Sequence, residues 1–321
     1  MKKIILLNLI VFFGLLITLE AISRIYIFID RGNPTAGLRE RTLNLNYQPF
    51  TMYGPNWEMV YNKFNNELSK NDKFIVLIIG GSTAQGFPSE ILEKKISKKI
   101  NKKTKVFNSA YGGYISTQEL IITSLYSKRI NPNLIINLNT ANDVTHSLRK
   151  KNKSGTFFLN NTYEGILSKP FLAPLIYIAQ HSQLYNGIIR LKERNERFNP
   201  EDYNDHLNIF IQNIDNIYIY CKGANIMYLN VMQPHVVFKN LQHDNEKNFT
   251  AFNYRAPIVK KLYDKIKEKI QLRDENFLDA RFIFQNNNEH IFSDDVHFID
   301  NTGYELLAEA ISKKVYRLIN N

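Results

Sequence analysis

Phe74-Ile75-Val76-Leu77-Ile78-Ile79-Gly80-Gly81-Ser82-Thr83 is the stretch on which the reading of the fold turns. Its unbroken apolar run suits a strand buried on both faces of a parallel sheet. The Gly-Gly pair ends the run, and Ser82 follows at a strand-to-helix turn. In that position a serine hydroxyl and its own N–H can point at one substrate atom, as a nucleophile requires. A serine after a tight turn also serves as an ordinary helix cap. The segment by itself supports both readings. Other motifs fit it less well. Gly81 and Gly86 have the outer spacing of a phosphate loop, but Phe87 and Pro88 replace the lysine and hydroxyl residue. A Gly-x-Gly-x-x-Gly dinucleotide fingerprint is absent. A Gly-x-Ser-x-Gly elbow lacks its last glycine, which is Ala84 here.

Similar apolar runs recur at Lys105–Phe107, Leu134–Leu138, Ile226–Val231 and Arg281–Phe284. Helical periodicity lies between them. Ser89 can cap a helix on which Leu92, Ile96 and Ile100 share a face. Further helices are read at Gln118–Lys128, Leu207–Tyr220, Ile258–Ile270 and Thr302–Ile319. Strands alternating with helices predict an α/β domain, a parallel sheet with helices on both faces. The domain is expected to span residues 73–321. An insertion at about 144–205 interrupts the alternation and is a candidate cap over the site. Residues 30–72, punctuated by glycine and proline, read as a linker and lead-in.

The 44% hydrophobic content allows a packed core. The net charge of +11 raises the question of nucleic acid or an anionic surface, but lysine is spread along the whole chain and no recognition motif accompanies it. The lysine doublets at 94–95, 98–99 and 102–103 read as a solvated helix face. Cys221 is the single cysteine, so neither an internal disulfide nor a cysteine-based zinc site can form.

Residues 1–29 form a membrane anchor or signal segment. Lys2 and Lys3 precede an apolar run from Ile4 to Leu19, and apolar residues continue to Ile29. Glu20 and Arg24 stand four apart, so on a helix they face one another and can pair. No clean Ala-x-Ala cleavage pattern follows, and the retained anchor is the favoured reading. Arg24, Arg31, Arg39 and Arg41 offset Lys2 and Lys3, so flanking charge does not settle orientation. A short tail before a large domain favours a periplasmic or extracellular domain.

Ligands of an open parallel sheet bind beyond the carboxyl ends of its strands. Three further motifs fall at such ends or in a terminal loop. Asn108-Ser109-Ala110-Tyr111-Gly112-Gly113-Tyr114 brings glycines whose backbone N–H can approach a ligand closely. Thr140-Ala141-Asn142-Asp143 offers the Asn142 amide as an oxyanion donor. Asp143 can cap the next helix or hold the loop. Asp294-Asp295-Val296-His297 offers a base and the carboxylate that would orient it. Ordinary turns and caps account for each motif taken singly. His235, at the end of a strand, is a further candidate to line a pocket.

Together the four segments resemble the SGNH, or GDSL-like, hydrolase family, from Phe74 through the final helix, with the Val144–Asp205 region outside the match. The resemblance implies Ser82, Asp294 and His297 as catalytic residues. It also implies an oxyanion hole from Ser82, Gly113 and Asn142. Gly81 stands where the family's Gly-Asp-Ser signature has Asp, as in variants associated with membrane-anchored members. Thr140 stands where Gly-x-Asn-Asp has Gly. The implied fold is a flavodoxin-like three-layer α/β/α sandwich with a five-stranded parallel sheet. The implied chemistry is ester cleavage or acyl transfer with no metal and no organic cofactor. The leading expectation is thus a membrane-anchored serine esterase acting on an acyl or acetyl ester of a surface glycan or a lipid. An O-acyltransferase in polysaccharide modification is the first alternative. A non-catalytic glycan-binding or assembly protein on the same fold is the second. No nucleic acid is expected as a partner.

Overall fold

The structure is a computed structural model of the 321-residue chain. It describes residues 2–31, 47–68, 73–148, 157, 168–185, 187–188, 203–240, 243–247, 249 and 255–320. Much of the expected 144–205 insertion lies outside the described residues. The chain divides into two compact units, Met1–Asn46 with Leu159–Arg197, and Tyr47–Phe158 with Phe198–Asn321.

The first unit contains α1 (Lys2–Arg31). Its window Lys2–Ile29 is long and apolar enough to cross a membrane, and none of it is buried. Glu20 and Arg24 form the anticipated pair, with Arg24 Nε donating to Glu20 Oε1 at 2.8 Å.

The second unit begins with a short hairpin, β1 (Tyr47–Gln48) and β2 (Met52–Tyr53), and then α2 (Trp57–Glu67). This part of the 30–72 lead-in is not a plain linker. Tyr53, Trp57 and Tyr61 are buried, and α2 packs on the helix at 116–130. Tyr61 stacks on Tyr126 with ring centres 4.6 Å apart. Asn56 caps α2 by accepting the Met59 N–H at 3.2 Å.

The α/β core follows as β3 (Phe74–Gly80), α3 (Ser82–Gln85), α4 (Ser89–Ile100), β4 (Thr104–Asn108), α5 (Ser116–Ile130), β5 (Leu134–Asn139) and α6 (Ala141–Ser147). After α7 (Ala173–Gln180), which belongs to the first unit, it resumes with α8 (Asn204–Gly223), β6 (Met227–Met232), α9 (Ala256–Lys269), β7 (Phe277–Asp279) and α10 (Asn301–Asn320). The five core strands are all parallel, in the order β4-β3-β5-β6-β7. Counted from β3 this is the doubly wound order 2-1-3-4-5, whose switch point lies between β3 and β5. Helices α4 and α10 pack together, and α5 packs with α8, which covers the two faces of the sheet. Val76, Leu77, Ile135, Ile136 and Leu229 fill the middle layer. Each such side chain contributes about 1.5–3 kcal/mol on burial.

The run Arg281–Phe284 is not a strand. The fifth strand is the shorter Phe277–Asp279, and residues 281–286 turn. Asp279 ends the strand by accepting the Arg281 backbone N–H at 3.2 Å and its Nε at 2.8 Å. The Arg281 side chain is buried against the Phe238 and Phe282 rings. The cap of α4 also falls one residue earlier than expected, on Pro88.

Candidate active site

The site is built outward from the β3 end. Gly80 holds φ +150°, and a Cβ there would lie 2.1 Å from the Leu138 carbonyl oxygen of β5. Only glycine permits this close approach. Gly81 precedes α3, and Ser82 is the first helical residue, half-buried. The helix-cap reading does not hold for Ser82, because Gly81 is the cap and no side chain caps α3. Ser82 Oγ makes no hydrogen bond among the described residues, and neither do the N–H groups of Ser82 and Gly113.

Asn142 comes from the β5 end. Its Nδ2 donates to the Tyr114 carbonyl at 2.8 Å. The same atom lies 2.1 Å from where a Cβ on Gly81 would stand. The glycine that departs from Gly-Asp-Ser is therefore the residue this amide packs against. Gly113, at φ +78°, adopts a conformation that a side chain disfavours. Its carbonyl accepts from Tyr53 Oη at 2.8 Å. Asn142, Tyr114 and Gly81 thus draw the loops after β3, β4 and β5 together at the switch point.

Thr140, the second departure, sits at φ +100°. Glycine takes that conformation freely, whereas a threonine stores strain of about 1–3 kcal/mol in it. Asp143 reaches across to α5, accepting from Ser116 Oγ at 2.7 Å and from the Ser116 N–H at 3.1 and 3.2 Å. It therefore ties the Asn142 loop to α5. Beneath it lies Glu119, buried, which accepts from Asn139 Nδ2 at 2.9 Å. Burial raises the pKa of both carboxyls. Asp143 is pushed up to about 7, with the Ser116 contacts pulling the other way. Glu119 rises well above the carboxylate range through burial and the neighbouring Asp143 charge.

A raised carboxyl pKa disfavours the folded state as the pH climbs from the unfolded value through the folded one. Glu119→Gln keeps the acceptor and removes the titration. Chemical denaturation of both proteins at about pH 5 and about pH 8 is expected to show the variant gaining stability relative to wild type at the higher pH.

Asp294 and His297 meet in one loop. His297 Nδ1 and Asp294 Oδ2 are 2.6 Å apart. Asp294 Oδ1 accepts the N–H groups of Val296 and His297 at 2.9 and 2.8 Å. Burial opposes the Asp294 charge. The His297 ring and those two N–H groups outweigh it and hold the carboxyl down at about 2. An ionised Asp294 accepts only, so Nδ1 carries the ring proton and Nε2 is left as the acceptor. This loop joins the Ser82 turn through neighbours, with Thr83 Oγ1 donating to the Val296 carbonyl at 3.3 Å. Gln233 Nε2 donates to Thr83 Oγ1 at 3.1 Å, and Val236 N–H to the Asp295 carbonyl at 3.0 Å.

The groups that hold this loop from below carry no motif of their own in the sequence. Lys239 Nζ and Glu246 Oε2 form a 2.6 Å ion pair with both side chains buried. Lys239 Nζ also donates to the Glu289 carbonyl. Glu246 Oε1 accepts the Ile291 and Phe292 N–H groups at 3.0 Å each. No motif or spacing marks residues that meet only through folding.

His235 packs inward. It is 5% exposed, sits edge-on to the Tyr263 ring and accepts the Val237 N–H on Nδ1. Burial pushes its pKa down to about 3, despite the nearby Asp294 charge. It is a neutral wall behind the Asp294 loop rather than a lining of open space. A cavity of ≈ 340 Å³ opens instead beyond α3, lined by residues that include Trp57, Gln85, Phe87, Ser89 and Tyr111.

No family model matches the chain, and no curated protein matches it. Solved structures do. One is a candidate acylhydrolase of Bacteroides fragilis, 14% identical with TM-score 0.47, the match covering 82% of this chain and 96% of that one. A lipase from a goat rumen metagenome is 13% identical with TM-score 0.48, covering 76% and 98%. An acetyl xylan esterase of Geobacillus stearothermophilus is 13% identical with TM-score 0.44, covering 76% and 95%.

Proposed function

We propose that this chain is a membrane-anchored serine esterase, with Ser82 as nucleophile, His297 as general base and Asp294 as the group that orients it. The carrying observation is the 2.6 Å contact between His297 Nδ1 and an ionised Asp294. It leaves Nε2 free to take a hydroxyl proton, in a loop bonded to the residue next to Ser82.

Ser82 Oγ attacks the ester carbonyl as its proton passes to His297 Nε2. The carbonyl oxygen becomes an oxyanion held by the Ser82 and Gly113 N–H groups and the Asn142 amide. His297 then gives its proton to the departing alcohol. Water, deprotonated by the same base, cleaves the acyl-enzyme. The cavity beside α3 would take part of the substrate. Its lining, which combines Trp57 and Tyr111 with Gln85 and Ser89, suits a sugar ring bearing the ester. The bare apolar α1 supports a tether, and the α/β unit would face the periplasm or the cell exterior. Residues 73–321, with the hairpin and α2 ahead of them, would form the catalytic domain.

The test is hydrolysis of p-nitrophenyl acetate and of acetylated oligosaccharides by the full chain. Serine labelling by a fluorophosphonate should map to Ser82. Labelling that persists in Ser82→Ala would sink the assignment. A Gly81→Ala variant probes the oxyanion side separately. Its new methyl would meet Asn142 Nδ2. Displacing that donor is expected to lower kcat about 10²–10³-fold. Steady-state kinetics, with far-UV circular dichroism as the folding control, checks this.

A further inference from the structure

Glu20 and Arg24 are the charged residues of α1 between Lys3 and Asp30. Charges on a lipid-facing helix are costly unless they are paired. Both are used within the first compact unit, on residues 181–184. Arg24 Nη2 donates to the His181 carbonyl at 2.8 Å. Glu20 accepts from Ser182 Oγ at 2.7 Å and from the Gln183 and Leu184 N–H groups at 3.0 Å each. Glu20 therefore supplies, from another element, the acceptor for the first N–H groups of the helical turn at residues 183–185.

The contact runs along one stripe of α1. Residues 20, 23, 24 and 27 are half-buried, while Ile22, Ile25, Tyr26, Phe28 and Ile29 on its other sides are exposed. The attached segment is equally bare, with Phe171, Leu175 and Ile178 at 77%, 62% and 63% exposure. Water seldom faces so many bare apolar side chains. From Ile4 to Glu20 a helix rises about 24 Å, so in a core ~30 Å thick the Glu20 layer falls near its far edge. That is the depth at which apolar segments lie in the plane of a bilayer.

We propose that residues 168–185 form a second membrane-contacting element, seated at the boundary between lipid headgroups and acyl chains and clamped to α1 by Glu20 and Arg24. The proposal rests on reading α1 as a retained anchor. It assigns Glu20 and Arg24 a task that cleavage of α1 would abolish.

The test uses the full chain in phosphatidylethanolamine–phosphatidylglycerol vesicles, with an environment-sensitive fluorophore on Leu175→Cys, Ile178→Cys or, as the α1 reporter, Val11→Cys. The native thiol, Cys221, is buried and is spared by labelling of the folded protein. At 175 and 178, doxyl groups on the lipid acyl chains are expected to quench at least about twofold more than aqueous iodide. Quenching at 175 and 178 by iodide alone, with Val11→Cys lipid-quenched, overturns the proposal and leaves the anchor standing. Iodide quenching at all three positions overturns the anchor and the proposal together. Adding Glu20→Ala is expected to move 175 and 178 into water and leave position 11 in lipid. Unchanged lipid quenching there refutes the clamp.

Discussion

Ser82→Ala is expected to lower the turnover of p-nitrophenyl acetate by about 10⁴-fold or more, with the melting temperature unchanged. The size follows from the chemistry. In the proposed mechanism an alanine leaves no group to form the acyl-enzyme, so His297 and the oxyanion donors could only assist water. The lack of a stability effect follows from the structure. Ser82 Oγ makes no hydrogen bond among the described residues, and the cap of α3 is Gly81. The turn depends on Gly80 and Gly81, which the substitution leaves intact. Burst kinetics with a slowly deacylating ester give a second readout, since the burst should vanish with the hydroxyl. Activity within about tenfold of wild type would mean that Ser82 is not the nucleophile.

Glu246→Gln is expected to cost about 3–5 kcal/mol of stability, because it leaves the buried Lys239 ammonium without its counter-charge. For a unit of this size that is on the order of 10 °C in melting temperature. Burial opposes the Glu246 charge, but the Lys239 ion pair and three backbone N–H groups hold its pKa below the usual value. This stabilisation is present above the unfolded glutamate value and is lost as the pH falls through the lower folded one. Wild type and variant should therefore converge in acid. The double change Lys239→Met with Glu246→Leu removes both charges and is expected to recover much of the loss. Thermal unfolding of the variants checks both statements. The pair also anchors the strand of loop that leads to Asp294. The single variant should thus show weaker catalysis even where it is folded, since Ile291 and Phe292 take their acceptor from Glu246.

Much of the fold was legible because buried parallel strands announce themselves as unbroken apolar runs. Four of the five core strands stand where such runs predict them. The fifth was misplaced, since a three-residue strand ended by an aspartate has no run of its own. The real run next to it, Arg281–Phe284, lies in a turn, where Phe284 is buried and Arg281 packs against the Phe282 ring. The hairpin and α2 were missed for a related reason. Their glycines and prolines read as a linker, and their aromatic residues share no period. They are ordered by contacts with Tyr114 and Tyr126, distant in sequence. Asp294 and His297 were legible as a pair, because a three-residue spacing in one loop lets the side chains meet. Asn142 and Gly113 were legible only as residues at strand ends.

Sequence alone determined the chemical types on offer: a serine after a Gly-Gly turn, an Asp-x-x-His loop, and one helix long enough to span a membrane. These are local properties, set by spacing and by side-chain chemistry. Tertiary structure decided how they are held. It placed the Asn142 amide against Gly81, buried Lys239 with Glu246 beneath the histidine loop, and turned His235 inward. It also joined Glu20 to residues 182–184, more than a hundred and fifty positions away. Such pairings depend on the packing of separate elements, and no short-range pattern in the chain encodes which of them will meet.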